Sequence, residues 1–159
     1  MKGALLMTGE EYFTDMKRML TGVKNVEKYN WLITDFEGDP QNSKLEQQLV
    51  SPKGYCFISG EELLKLVKIK KFQWEWAILT AFKPEVELED ILKYELPKAS
   101  NETFFEERVA MQHPFAEIEL IAYDSTMFIC IAKNYSQVKF FREKFPLSVD
   151  LKEYNTGNV

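Results

Sequence analysis

At 159 residues, with 45% hydrophobic and 14% aromatic side chains, the chain has the size of one domain and is too apolar to remain disordered. Its formal net charge of −5 argues against nucleic acid or anionic membrane as a partner, since both require clustered Lys and Arg. The apolar run Ala4 to Met7 is too short for a signal h-region or a membrane span, so a soluble cytoplasmic protein is the default expectation.

In chain order, Thr8-Gly-Glu-Glu11 has the form of a capping box and predicts a helix to about Leu20. Tyr12, Met16, Met19 and Leu20 form its apolar stripe, and Gly22 closes it. Tyr29 to Phe36 alternates as a strand, with Tyr29, Trp31 and Ile33 opposite Asn30, Leu32 and Thr34. After the break at Gly38-Asp39-Pro40, the polar stretch Gln41 to Lys53 reads as a loop or weak helix. Tyr55 to Ile58 is a short strand that runs into a second capping box, Ser59-Gly-Glu-Glu62, and a helix with Leu63, Leu64, Leu66 and Val67 on its apolar face.

Gln73 to Phe82 is the strongest strand. Strict alternation would put Trp74, Trp76, Ile78, Thr80 and Phe82 on one face, and the apolar character of both faces places the strand centrally. A short helix from about Leu88 to Tyr94 and an irregular acidic stretch to Pro114 follow. Phe115 to Tyr123 and Met127 to Lys133 form a hairpin across Asp124-Ser-Thr, with Ala116, Ile118, Leu120 and Ala122 inward and Glu117 and Glu119 outward. Asn134 caps a last helix, with Gln137 at the matching box position, Val138, Phe141 and Phe145 on its buried face and Pro146 at its end. The expected architecture is a single α+β domain over residues 1–159, with a mainly antiparallel or mixed sheet of about five strands covered by three to four helices.

The acidity is concentrated. Between Glu85 and Glu119 there are ten acids against three bases, whereas the rest of the chain holds fifteen acids and seventeen bases. A localised negative surface suits a basic protein partner.

Few constellations carry chemistry. Cys56 and Cys130 lie inside apolar runs and read as buried free thiols, with a disulfide between neighbouring strands as the alternative. His113, the only histidine, reads as a turn or cap residue; a catalytic role would need Glu106, Glu107 or Glu117 to orient it. Asp35, Glu37 and Asp39 stand at alternate positions at a strand end, where three carboxylates could meet a divalent cation or act as an acid and base pair. Trp74-Glu75-Trp76 places two indoles as core residues or as binding hot spots. No phosphate-binding loop, dinucleotide fingerprint or nucleophile elbow is present, and no cofactor or structural metal is expected.

Four blocks, Asn30-Trp31-Leu-Ile, Ile58-Ser-Gly-Glu-Glu-Leu63, the Trp-rich strand ending Ala81-Phe82, and Phe145-Pro-Leu-Ser-Val-Asp-Leu-Lys-Glu-Tyr-Asn155, resemble small bacterial immunity proteins of polymorphic toxin systems. The resemblance implies inhibition of a cognate toxin by tight binding, which needs no catalytic group. The expected contact residues are Asp35, Glu37, Asp39, Trp74, Trp76, Glu85, Glu87, Glu89, Asp90, Glu106 and Glu107, facing a basic toxin domain, in a protein that is a monomer or homodimer. The alternatives are a small metal-dependent hydrolase using the Asp35, Glu37, Asp39 cluster and a homodimerising regulatory module.

Overall fold

The computed structural model describes residues 2–11, 13–38, 47–49, 51–69 and 73–158. Its centre is a seven-stranded sheet in which every pairing is antiparallel. The strands are β1 (Lys2–Leu6), β2 (Asn30–Gly38), β3 (Tyr55–Ser59), β4 (Trp74–Phe82), β5 (Ile118–Tyr123), β6 (Met127–Ala132) and β7 (Val149–Asp150), in the spatial order β3-β2-β4-β5-β6-β1-β7. The α+β class is as expected; β1 and β7, which extend the sheet beyond five strands, are not legible in the sequence pattern.

Alternation along the strands divides the apolar residues between two faces. Ala4, Leu6, Trp31, Ile33, Ala77, Leu79, Ala81, Leu120, Phe128 and Cys130 form the first face. It is covered by helices: α1 (Met16–Met19) brings Met16 and Met19, α2 (Gly60–Ile69) brings Leu63, Leu66 and Val67, and α4 (Tyr135–Lys144) brings Val138 and Phe141. Burial of such side chains contributes on the order of 2 kcal/mol each. Both cysteines are free and buried here, and burial pushes the Cys130 thiol up to about 12.

The second face is also apolar, but its cover is mostly not helical. Leu5, Ile121, Ile129 and Ile131 pack under Ala99, Phe104, Val109 and Leu151, while Leu32 and Phe82 pack with Ile91. The covering residues come from α3 (Leu88–Ile91), the irregular segment 95–114 with its 3₁₀ turn Glu102–Phe105, and α5 (Leu151–Asn155).

The helix starts show which local signals hold. Ser59 and Glu62 make the reciprocal capping box: the Glu62 N–H donates to Ser59 Oγ at 3.2 Å, and the Ser59 N–H donates to Glu62 Oε2 at 3.2 Å. The Thr8 to Glu11 box does not form. Thr14 and Asp15 lie extended against the start of β4, with Trp74 N–H donating to Thr14 O at 3.2 Å, so α1 begins only after Asp15, which caps it. Tyr12, expected on that stripe, lies outside the described residues. Asn134 caps α4 as expected. Gln137 does not complete a box there; its amide instead donates to Gly22 O at 3.0 Å and accepts from Lys24 N–H at 3.1 Å, tying α4 to the 3₁₀ turn Leu20–Gly22. The β5–β6 hairpin turns through Asp124, Ser125 and Thr126; Asp124 and Ser125 are left-handed at φ 48° and 56°, and Thr126 N–H donates to Tyr123 O at 3.1 Å.

The close approach of two elements at Gly60 predicts a sensitive site. A Cβ at this first residue of α2 would lie 1.9 Å from Val26 O, so Gly60→Ala must displace the 3₁₀ turn Val26–Lys28. We expect a loss of about 3 kcal/mol. Gly54→Ala, at φ 76° with open space around it, should cost only about 1 kcal/mol of backbone strain. Urea unfolding of both variants checks the order; a Gly60→Ala midpoint no lower than that of Gly54→Ala would contradict the packing described.

Candidate protein-binding surface

An irregular segment laid on an apolar sheet must find partners for its backbone polar groups. Side chains supply many of them. Thr34 Oγ donates to Pro97 O at 2.6 Å, and Ser100 N–H and Oγ donate to the Asp35 carboxylate at 2.8 and 2.9 Å. The Gln112 amide accepts from Lys98 N–H at 2.9 Å and donates to Lys98 O at 2.8 Å. Asn155 Nδ2 donates to Phe104 O and Glu106 O.

Glu119 is the deepest of these partners. It was expected to face outward, yet it is fully buried, because the side of β5 that carries it and Ile121 is roofed by the 112–115 turn. Its Oε1 accepts from Gln112 N–H at 2.9 Å and from His113 N–H at 3.1 Å. Burial raises the carboxyl to about 7, against the opposing pull of those two amides. Its cross-strand neighbour Thr80 has a buried hydroxyl with no hydrogen-bond partner among the described residues.

His113 is likewise buried, 1% exposed, and is a turn residue as expected: its carbonyl accepts from Ala116 N–H at 3.1 Å. Its ring lies 4.9 Å from Phe82, 5.3 Å from Tyr94 and 5.7 Å from Phe115, centroid to centroid. Nε2 lies 3.2 Å from Ile91 O, and Nδ1 accepts from Phe115 N–H at 3.2 Å. Among the described residues no hydrogen bond or ion pair joins its ring to Glu106, Glu107 or Glu117; Glu117 pairs instead with Lys133 at 3.3 Å.

On the outer side of this histidine the surface is apolar. Tyr94 and Phe115 stand edge to face at 5.3 Å and are 45% and 38% exposed; Leu92, the residue after Ile91, is 40% exposed. Glu87 and Glu89 lie exposed on the same short stretch, Asp90 pairs with Lys93, and Glu95 with Lys98. This is an aromatic patch inside the most acidic part of the chain. Leu92, Tyr94 and Phe115 were not singled out from sequence: Leu92 and Tyr94 fell in the expected short helix and Phe115 at the start of an expected strand, so the available signal was only that three large apolar residues stand amid carboxylates.

The other expected site residues are scattered. Glu85, Glu87, Glu89 and Asp90 belong to the end of the second face where α3 covers Leu32 and Phe82. Glu106 and Glu107 belong to the other half, beside α5. There Glu107 lines an open cleft of about 750 Å³ in which Glu107, Asp150 and Glu153 are matched by Lys2, Arg108 and Lys152. Trp74 and Trp76 do not share a face. The β2–β4 register slips between Thr34 and Glu37 and slips back between Glu37 and Gly38, and the bulges turn Trp74 into the first core. Trp74 is 2% exposed, edge-on to Phe36 at 5.1 Å, so it offers no contact surface. Trp76 is half-buried against Tyr123 at 4.6 Å on the second face.

Asp35 sits in the slipped region at φ 51°, with its carboxylate engaged by Ser100. Glu37 is exposed, and Asp39 lies outside the described residues. Asp35 and Glu37 edge a shallow groove of about 410 Å³ that also carries Lys53 and Lys98. Among the described residues no three His, Cys, Asp or Glu side chains are placed to hold a metal ion. No protein-family profile, curated protein or solved structure matches this chain.

The Glu119 geometry fixes a pH signature. A carboxyl raised from 4.5 to about 7 keeps its proton in the native state where the unfolded chain has lost it, so its contribution to stability declines as pH rises from 4.5 to 7. Glu119→Gln keeps an acceptor for both amides and removes the charge. Its stability relative to the parent should improve by up to about 3 kcal/mol between pH 5 and pH 8. Glu119→Ala leaves two buried N–H groups unpaired and should be less stable than Glu119→Gln at every pH, by about 1–3 kcal/mol per group. Urea titrations at pH 5, 6, 7 and 8 measure both differences; a pH-independent gap between Glu119→Gln and the parent would refute the buried charge.

Proposed function

We propose that this chain is a non-enzymatic protein-binding domain of the immunity kind, which neutralises a basic toxin domain by covering its functional surface. The observation that carries the reading is the exposed Leu92, Tyr94 and Phe115 patch within the acidic segment. Exposed aromatics at the centre of a contact supply affinity when they are desolvated, and surrounding carboxylates supply selectivity and rate. Toxins that act on nucleic acid must bind phosphate and so carry Lys and Arg in their grooves. An acidic and aromatic surface is complementary to such a groove and competes directly with the substrate. The resemblance of the four sequence blocks to immunity proteins supports the same reading. A hydrolase reading gains no support from Asp35, whose carboxylate is occupied by Ser100.

The binding surface is therefore Glu87, Glu89, Leu92, Tyr94 and Phe115, with Asp90 and Glu95 at its rim. Glu106, Glu107 and Trp74 drop out of it.

The test is surface plasmon resonance against the product of the adjoining gene. Tyr94→Ala should weaken binding about 30-fold, mainly through faster dissociation. Glu87→Lys combined with Glu89→Lys should slow association about 10-fold at low salt and flatten its salt dependence. Binding with neither rate altered would place the interface elsewhere, and no binding at all would remove the immunity reading.

A further inference from the structure

We infer that the docking patch is gated by protonation of His113: the neutral ring holds Phe115 and Tyr94 in the binding arrangement, and the charged ring releases them. This deepens the binding reading and rests on it, but its structural half can be measured on the free protein.

The argument begins from two contacts that fix the tautomer. A backbone N–H can only donate and a carbonyl can only accept, so Phe115 N–H to Nδ1 and Nε2 to Ile91 O together require a neutral ring with its proton on Nε2. The imidazole thereby clips two chain segments, the end of α3 just before Leu92 and the 113–115 turn that carries Phe115. Adding a proton makes Nδ1 a donor facing another donor, and the clip to Phe115 is lost.

The surroundings do not hold the charged form in place. The ring is enclosed by Phe82, Tyr94 and Phe115, and burial, the largest influence, lowers its basicity. From the end of β6, Lys133 adds repulsion, its ammonium donating to Pro114 O at 3.3 Å. Just ahead of β5, Glu117 is paired with that lysine, and within β5 the Glu119 carboxylate is bonded to the backbone N–H of Gln112 and His113. On α3 and its end, Asp90 and Lys93 pair with each other at the surface, and Tyr94 presents a phenol. The Ile91 carbonyl favours the cation, but burial outweighs it. The imidazolium therefore gains most by reaching water, and the 112–115 turn must move for it to do so. Glu119 works in the same direction, because protonation of its raised carboxyl exchanges charge-assisted bonds to that turn for weaker neutral ones.

Because His113 is the only histidine, one imidazole resonance reports the titration without ambiguity. We would follow that resonance by NMR from pH 8 to pH 5 together with the protection factor of the Phe115 amide. The midpoint should fall below 6.5, and Phe115 protection should drop at least 10-fold in step with it. His113→Gln can accept from Phe115 and donate to Ile91 without titrating, so it should keep its protection throughout. Protection that stays constant across the parent titration, or falls equally in His113→Gln, overturns the gate. If His113→Gln does not fold, the parent's two curves still decide. A flat protection profile with Tyr94→Ala still weakening the partner removes the gate and leaves the interface; a clear protection step with Tyr94→Ala binding normally removes the proposed interface and, with it, the gating of binding.

Discussion

The constraint on which the structure depends is that an irregular chain segment covers one apolar face of the sheet. A helix laid there would have satisfied its own backbone. The 95–114 segment cannot, and a buried N–H or C=O without a partner costs on the order of 1–3 kcal/mol. The polar side chains of the second face are placed accordingly: Thr34 under Pro97, Asp35 under Ser100, Gln112 on Lys98, Glu119 under Gln112 and His113, and Asn155 under Phe104 and Glu106. The first face is covered by helices α1, α2 and α4, whose own backbone bonds do much of this work.

Two of these partners are ionisable and buried, and they pull stability in opposite directions with pH. Glu119, raised, favours the native state more as pH falls from 7 towards 4.5. His113, lowered, contributes stability above its ordinary value of 6.5 and loses it as pH falls further. Below pH 6.5 the two slopes have opposite signs. The global stability of the fold can then vary little while the turn between the two groups changes its bonding, and that turn carries Phe115. Local and global stability need not move together.

What was legible in the sequence followed from local physics. The alternation of Trp31 and Ile33 against Leu32 and Thr34, the inward set Ile118, Leu120 and Ala122, the Ser59 to Glu62 box and the buried cysteines all depend on near neighbours or on period two. What was not legible depended on distant ones. β1 is a strand because Ala4 and Leu5 pair with Cys130 and Ile129 on one side and with Asp150 and Val149 on the other. The Thr8 box fails because Thr14 and Asp15 pair with the start of β4. Period-two reasoning put Trp74 and Trp76 together and aligned Asp35 with Glu37, and the register slips between β2 and β4 defeated it at both places. Glu119 read as solvated because a carboxylate on a strand usually is; only Ile121 on the same pleat hinted at an apolar cover.

The charge of the segment from Glu85 to Glu119 acts differently at long and short range. Beyond roughly 8 Å, the screening length at physiological salt, a partner responds to the sum of charges, and pairing within the surface leaves that sum unchanged. At contact, individual groups decide. Lys93, Lys98 and Lys133 occupy Asp90, Glu95 and Glu117, exposed or half-exposed pairs that contribute little to stability but compete with an incoming cation. Glu119 is buried below the surface. Glu87 and Glu89 have no ion pair among the described residues and are exposed beside Leu92. They are therefore the carboxylates that a basic side chain can engage without displacing a lysine, and their neighbour is the apolar patch whose desolvation supplies the affinity. Added salt should erode the encounter and spare the apolar contact, so the two parts of the surface separate along the kinetic axes of association and dissociation.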